Sequence, residues 1–223
     1  MALRVPVDLP LATAVVLPVS YTTATVALTE STTLGRDETV LVLAAAGSVG
    51  LAAVEIAAAL GARVIAAAGG EAKCALAREH GAAEAVDYRS PDWPERVKAV
   101  TGGRGVDVVF DPVGGDESEA ALRLLAPGGR FLIVGFASGR IPKIPANRLL
   151  LKRASAIGVY WNHDTDGEMI SRANGRLGQL LRRGAIRPHV GARYAFEELP
   201  QALADLSSRR TTGKSILAVG ATP

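Results

Sequence analysis

The stretch TVLVLAAAGSVG, residues 39–50, decides the fold of this chain. Residues 39–44 are apolar, which predicts a short strand that is buried on both faces of a parallel sheet. Glycines follow, and residues 51–60 then consist of strong helix formers. Residues 63–67 predict a second strand. This order of strand, glycine turn, helix and strand predicts a βαβ unit, in which the helix N-terminus can bind a phosphate group.

The glycine spacing follows the dinucleotide-binding fingerprint G-x-G-x-x-G with one departure. The three fingerprint positions fall on Ala45, Gly47 and Gly50, so alanine replaces the first glycine. The βαβ context favours a dinucleotide site. The alternative interpretation, a tight turn in an α/β protein that binds nothing, stays open at this point.

Length and composition restrict the class of protein. The chain has 223 residues and a hydrophobic content of 48%, enough for one large domain or for one domain with part of another. Its 25 Lys and Arg residues against 22 Asp and Glu residues are spread along the chain, which argues against a nucleic-acid surface. A single cysteine, Cys74, excludes an internal disulfide and a multi-cysteine zinc site. We find no signal-peptide pattern and no stretch of membrane-spanning length, and therefore expect a soluble cytoplasmic protein.

Strands and helices alternate from residue 39 to residue 183, which predicts one doubly wound parallel sheet, an α/β Rossmann fold. A leading helix is expected from about residue 18. Residues 187–219 break the alternation with an extended segment, a helix and a strand, and predict part of a second unit. The other predicted strands are 85–88, 106–111, 130–135 and 154–160, and the other predicted helices are 71–80, 91–100, 117–125 and 168–183.

Six motifs spread over nearly the whole chain carry a family resemblance. They are LPVSYTTATVAL from Leu17, VLVLAAAGSVGLAAVEIAAALGARVIA from Val40, GAAEAVDY from Gly81, GGRGVDVVFDPVGG from Gly102, LAPGGRFLIVGFASG from Leu125 and RRTTGKSILAV from Arg209. In this order they resemble the zinc-independent quinone oxidoreductases (zeta-crystallin type) of the medium-chain dehydrogenase/reductase superfamily. Alanine at the first fingerprint position is typical of that family.

The resemblance implies a domain organisation and an activity. Family members carry an N-terminal GroES-like catalytic domain of about a hundred residues before the motif at Leu17. We therefore expect residues 1–186 to form an NADP(H)-binding Rossmann domain with its leading helix. Residues 187–223 are then the C-terminal segment of an incomplete GroES-like domain. The implied activity is hydride transfer from the nicotinamide of NADPH to a quinone or an activated alkene. An enoyl reductase of the same superfamily, or a non-catalytic NADPH-binding protein or fragment, are the alternatives.

The residues after the second predicted strand favour NADPH over NADH. An NAD site places an acidic residue about twenty residues after the glycines. Here the strand end reads AAAGG, residues 66–70, without an acid. Lys73 follows and can meet a 2′-phosphate as a point charge, and Tyr88 can bond the same phosphate. The alternative is that Lys73 is a surface lysine and that Tyr88 is a half-buried packing residue.

The resemblance also implies individual cofactor contacts. The pyrophosphate would meet the backbone amides of Gly47, Ser48 and Val49, while Gly50, the third fingerprint glycine, would set the close packing of helix on strand. The 2′-phosphate would meet Lys73, Tyr88 and Arg209, although Arg210 could replace Arg209. Gly69, at the end of the second predicted strand, is a further expected cofactor-binding residue. The nicotinamide would lie beside Thr23 and the loop Gly135, Phe136, Ala137 and Ser138.

No catalytic side chain can be assigned from the sequence. There is no G-x-S-x-G motif, and His80, His163 and His189 are scattered, so we predict neither a general acid nor a metal site. The resemblance implies a homodimer, through the edge strand at residues 154–160. It also implies an apolar face on the C-terminal segment, consisting of Phe196, Leu199, Leu203, Leu206, Ile216 and Leu217.

Overall fold

The structure is a computed structural model that describes residues 9–220, so the predicted domain ends at residues 1 and 223 lie outside the described part. Its main feature is a parallel sheet of six strands in the order β3-β2-β1-β4-β5-β6. This order is that of a doubly wound Rossmann sheet and confirms the predicted fold class. The strands are β1 (Thr39–Leu43), β2 (Arg63–Ala68), β3 (Glu84–Asp87), β4 (Val106–Asp111), β5 (Leu125–Ile133) and β6 (Ser155–Gly158).

Helices connect the strands and begin the chain. A leading helical segment, Leu11–Ser31, contains α1 and α2 with π-helical turns between and after them. The helices are α1 (Leu11–Ala14), α2 (Thr22–Val26), α3 (Ser48–Ala59), α4 (Glu71–Glu79), α5 (Trp93–Val100), α6 (Gly115–Leu122), α7 (Ala146–Lys152), α8 (Gly167–Arg182) and α9 (Leu199–Ser207).

The central strand β1 has side chains buried on both of its faces, as its apolar run predicts. Val40 and Val42 belong to the hydrophobic cluster that also contains residues of the leading segment, α3 and α8. Leu41 and Leu43 belong to a second cluster with residues of α5 and α6. Because successive side chains of a strand point to opposite faces, β1 needs apolar residues at every position.

Helix α3 begins at Ser48, three residues before the predicted start at Leu51. The residue before it, Gly47, is extended, with φ −80° and ψ 172°. The prediction was late because serine and glycine after a strand are typical of a turn, whereas here they form the first helical turn. The fingerprint glycine Gly50 therefore lies inside the helix rather than in the turn.

The leading segment corrects two predictions. It begins at Leu11 rather than near Pro18, and with 21 residues and a mean hydropathy of 1.6 it is long and apolar enough to cross a membrane. The expectation that no stretch has this length was wrong. Of its most apolar window, however, 56% is buried inside the protein, and the hydroxyl of Tyr21 donates to the buried Glu55 at 2.7 Å. These contacts are those of a core helix.

Strand β5 begins at Leu125, earlier than the predicted residue 130. Leu125 pairs with Val106, and the register then shifts before Val108 pairs with Arg130. The sequence Pro-Gly-Gly at residues 127–129, which precedes the predicted strand, forms the irregular part of the strand itself.

The residues after α8 contain a second sheet of two strands, and residues 187–220 are called the C-terminal unit below. Strands β7 (Val190–Ala195) and β8 (Lys214–Ala218) pair in parallel, with α9 between them in the chain. The unit contacts the Rossmann sheet at the glycine turn, where the Gly213 N–H donates to the Ala46 carbonyl at 2.8 Å. Its assignment to a GroES-like domain stays a prediction.

Candidate functional site

A cavity of about 520 Å³ lies at the carboxyl edge of the six-stranded sheet. Five of the six parallel strands contribute lining residues at or shortly after their carboxyl ends, and β1 and β4 flank the switch point of the sheet. In open α/β sheets this crevice is where ligands bind. The lining residues are Ala44, Ala46, Gly47, Ala68, Gly69, Lys73, Tyr88, Val113, Ala137, Ser138, Leu206, Ser207, Arg209 and Thr211.

The glycine turn forms the floor of this cavity. Ala44 has a φ of +47°, a left-handed conformation that is unusual for alanine, and its carbonyl accepts the Gly47 N–H at 2.8 Å. A Cβ on Gly50 would lie 2.8 Å from the carbonyl carbon of Ala44 and 3.1 Å from the Cα of Ala45. Gly50 therefore lets α3 approach β1 closely, which is the role of the third fingerprint glycine.

The first turn of α3 carries the other predicted pyrophosphate residues. Ser48 and Val49 do not line the cavity, although their backbone amides belong to the orphan N–H groups at a helix N-terminus. The hydroxyl groups of Ser48 and Ser20 are 2.5 Å apart, so the Ser48 side chain is engaged with the leading segment. Val49 packs on the hydrophobic core. Only backbone groups of this turn are thus available to an anion, together with the positive end of the helix.

The carboxyl end of β2 presents no acid to the cavity. Ala68 and Gly69 line it, and a Cβ on Gly69 would lie 3.1 Å from the Tyr88 hydroxyl oxygen. The nearest acid in sequence, Glu71, has a side chain that is 77% exposed and is paired with Arg78 at 2.7 Å. The end of β2, where an NAD site has its ribose-binding carboxylate, therefore carries no acid and is backed by a phenol. Asp87, which pairs with Ala68 from the end of β3, is held by Arg89 and does not line the cavity.

Two cationic side chains and the phenol meet at this end of the cavity. Lys73 and Arg209 both line it, and the Lys73 ammonium donates to the Arg209 carbonyl oxygen at 2.6 Å. Burial, with the nearby charges of Arg89 and Arg209, holds the pKa of Lys73 below its ordinary value. Burial raises the pKa of Tyr88, which stays a hydrogen-bond donor at neutral pH. The grouping favours a ligand with a negative charge here.

Arg209, rather than its neighbour Arg210, faces the cavity. The Arg210 guanidinium pairs with the Asp205 carboxylate at 2.5 Å, and Arg210 lies outside the cavity lining. The expectation that Arg210 could replace Arg209 is therefore not supported in this arrangement.

At the opposite end of the cavity, only some of the residues that were predicted to contact the nicotinamide form part of the lining. Ala137 and Ser138 line it, but Gly135 and Phe136 of the same loop do not. Phe136 is 43% exposed. Thr23 is half-buried outside the lining, and its hydroxyl oxygen accepts the indole N–H of Trp161 at 3.0 Å.

Sequence reasoning missed the lining residues of the C-terminal unit and several small residues at the strand ends. The small residues lie at or just after the ends of β1, β2 and β4, so their place in the chain was the available signal. The C-terminal residues had no signal beyond their nearness to Arg209. The missed residues are Ala44, Ala46, Ala68, Val113, Leu206, Ser207 and Thr211.

Comparison with known protein families shows which family this chain belongs to. A family model described as zinc-binding dehydrogenase matches residues 48–174, more than half of the chain. The chain belongs to this family. Its relatives in the family include quinone oxidoreductase-like proteins, which confirms the resemblance to the medium-chain dehydrogenase/reductase superfamily.

Three family members are similar over nearly all of the chain. Quinone oxidoreductase-like protein 2 of Bos taurus is 43% identical over 219 residues, which are 97% of this chain and 63% of the relative. The quinone oxidoreductase of Thermus thermophilus, whose structures include its NADPH complex, superposes with a TM-score of 0.86 and 37% identity over 97% of this chain and 69% of its own. The quinone oxidoreductase of Escherichia coli in complex with NADPH gives a TM-score of 0.86 and 30% identity over 96% and 67%. The chain thus spans 63% of the length of the bovine relative.

The family description mentions zinc. Within residues 9–220, no group of three or more His, Cys, Asp or Glu side chains is placed to hold a metal ion. Cys74 is buried, and the Nδ1 of His80 lies 2.5 Å from the Glu55 carboxylate.

Proposed function

We propose that this chain binds NADPH in the 520 Å³ cavity and serves an oxidoreductase that reduces a quinone or an activated alkene. The observation that carries the proposal is that Lys73, Tyr88 and Arg209 meet near the end of β2, and that this strand end carries no acid. A 2′-phosphate distinguishes NADPH from NADH. One charge-assisted hydrogen bond to it is worth roughly 1.5–3 kcal/mol, enough for about a tenfold preference.

The shape of the site supports the same proposal. Its volume of about 520 Å³ lies within the usual range for small-molecule sites. Gly50 allows the helix and strand to approach, and the N-terminus of α3 offers backbone amides to the pyrophosphate. The quinone oxidoreductases of Thermus thermophilus and Escherichia coli, which share this fold, have been solved with NADPH.

The chemistry divides between the cofactor and the protein. The nicotinamide supplies the hydride when NADPH is bound. The residues of this chain hold the dinucleotide: backbone amides of the glycine turn at the pyrophosphate, Lys73 and Arg209 at the 2′-phosphate, and Ala137 and Ser138 at the opposite end. Ala44, Val113 and Leu206 add apolar side chains to the cavity lining between these two ends.

A second candidate function is NADPH binding without catalysis by this chain alone. Among the residues that line the cavity, the ionisable side chains are Lys73, Tyr88 and Arg209, and all three lie at the proposed phosphate end. The curated relatives are also longer than this chain, so their catalytic groups can lie outside the matched part.

Turnover and binding together test the proposal. Purified chain is assayed with NADPH and a simple quinone, and NADPH binding is titrated in parallel. Binding with turnover supports the oxidoreductase. Binding without turnover supports the second candidate. If NADPH does not bind at millimolar concentration, both are refuted.

A further inference from the structure

The carboxylate of Asp205 is the centre of a hydrogen-bond cluster in the C-terminal unit. It accepts from the Tyr194 hydroxyl at 2.8 Å, from the Gln201 amide at 2.8 Å and from the Arg210 guanidinium at 2.5 Å. These bonds join β7, α9 and the segment that follows α9. The hydrogen bonds from Tyr194 and Arg210 hold the pKa of Asp205 below its ordinary value, so the carboxylate is ionised at neutral pH.

The end of α9 directs the two neighbouring arginines to different places. Arg209 has a φ of +56°, and its N–H donates to the Leu206 carbonyl at 3.0 Å. The Arg210 N–H donates to the Asp205 carbonyl, also at 3.0 Å. Arg209 then lines the large cavity, while Arg210 lines a separate hollow of about 300 Å³ that also contains Asp205 and Tyr194.

A left-handed conformation is costly for arginine, and contacts from other parts of the chain add to the two backbone hydrogen bonds that hold this turn. Two hydrogen bonds hold the turn on the side of the large cavity. The Lys73 ammonium donates to the Arg209 carbonyl at 2.6 Å, and the Gly213 N–H donates to the Ala46 carbonyl at 2.8 Å. On the side away from this cavity, the Asp205 cluster holds the Arg210 guanidinium. The segment is thus held from both sides, with the Arg209 side chain at the cavity.

We propose that Asp205 is a positioning residue for cofactor selection, because by holding Arg210 it fixes Arg209 as the guanidinium that faces the 2′-phosphate. This inference rests on the NADPH site proposed above. Asp205 does not line the cavity and acts only through the turn that it holds.

Electrostatics alone predicts the opposite effect of removing Asp205. A carboxylate near a phosphate repels it, so the neutral variant Asp205→Asn would bind NADPH more tightly if only charge mattered. If Asp205 positions Arg209, the same variant binds NADPH more weakly. The sign of the change therefore separates the two explanations.

The test is a double-mutant cycle on the full chain, with NADPH and NADH titrated by calorimetry. For Asp205→Asn we expect NADPH affinity to fall by about fivefold, within the range for residues in contact, with NADH affinity unchanged. In an Arg209→Ala background, Asp205→Asn should have no further effect on either cofactor. Glu197→Gln, an exposed charge change in the same unit, is the matched control and should leave both affinities unchanged.

Thermal unfolding of each variant separates positioning from loss of structure. Arg210→Lys keeps the charge that Asp205 holds and should retain most of the NADPH preference. The inference is overturned if Asp205→Asn leaves NADPH affinity unchanged or raises it, if its effect adds to that of Arg209→Ala, or if NADH affinity falls equally. Equal affinities of the wild-type chain for both cofactors would overturn the proposed NADPH preference itself, and this inference with it.

Discussion

The ammonium of Lys73 on α4 lies 2.6 Å from the backbone carbonyl oxygen of Arg209, after α9. This bond joins the Rossmann unit to the C-terminal unit at the edge of the cavity. An ammonium has three donors, so Lys73 can keep this bond and still offer protons to a phosphate. Lys73 therefore connects recognition of the cofactor to the position of the cavity wall.

The protonation of Lys73 predicts a pH dependence of cofactor selection. Burial lowers the pKa of Lys73, so its proton is lost at a lower pH than that of an ordinary lysine. We expect NADPH affinity to fall as the pH rises through the alkaline range, and to fall again below about pH 6, where the 2′-phosphate gains a proton. NADH affinity should not follow this profile. Titrations of both cofactors between about pH 5 and pH 10 check this, and parallel profiles would contradict it.

Replacing Gly50 should abolish NADPH binding, although its role is in packing and not in ligand contact. Gly50→Val places a side chain against the Ala44 carbonyl, pushes α3 from β1 and should weaken NADPH binding beyond detection. Gly175→Val is the matched control, because a Cβ at Gly175 in α8 meets nothing within 4 Å. Circular dichroism should show both variants folded. Unchanged NADPH affinity of Gly50→Val would place the site elsewhere.

Replacing Ala44 by glycine should have an unusual effect on the free energy of unfolding. An alanine with φ +47° carries about 1–2 kcal/mol of strain, which glycine does not. Ala44→Gly should therefore leave the free energy of unfolding unchanged or raise it slightly, despite the flexibility of glycine in the unfolded chain. Ala52→Gly, inside α3, should lower it by about 1 kcal/mol. Urea denaturation measures both, and equal losses would show that the turn at Ala44 is unstrained.

The fold could be predicted from sequence where local pattern and buried position agree. The apolar run of β1 and the glycine at position 50 predicted the strand and the close helix approach, because each acts within one βαβ unit. Lys73 and Tyr88 could be placed because they follow strand ends.

The rest depends on contacts between distant parts of the chain. The wall formed by Leu206, Ser207 and Thr211 depends on how the C-terminal unit contacts the Rossmann unit, and no local pattern encodes that. The choice of Arg209 over Arg210 depends on Asp205. The length of the leading segment was missed because Pro18 suggested a helix start, whereas here proline lies within a longer helical segment.

The exposed apolar side chains predict self-association. On the C-terminal unit, Phe196, Leu203 and Leu206 are 54%, 56% and 60% exposed, as the resemblance implied, whereas Ile216 is half-buried. Within the described sheet, the edge strand β6 also has an unpaired side, and Leu150 of α7, the helix that precedes β6 in the chain, is exposed. If these side chains form contiguous patches, they are larger than monomers usually expose, and we predict a dimer in solution.

Two matched variants identify the face that associates. Leu203→Lys places a charge on the C-terminal unit, and Leu150→Lys places one on α7, the helix before the edge strand β6. Light scattering of both variants should show that one of them becomes monomeric while the other remains a dimer. A monomeric wild-type chain at micromolar concentration would refute the prediction.

The most direct test of the account is a calorimetric titration of the wild-type chain with NADPH and with NADH. Because Lys73, Tyr88 and Arg209 meet at a strand end without an acid, we predict that NADPH binds at least about tenfold more tightly. Lys73→Ala combined with Tyr88→Phe removes two of the three expected 2′-phosphate contacts and should strongly reduce this preference while leaving NADH affinity unchanged. Equal affinities of the wild-type chain for the two cofactors, or an undiminished preference in the double variant, would contradict the account.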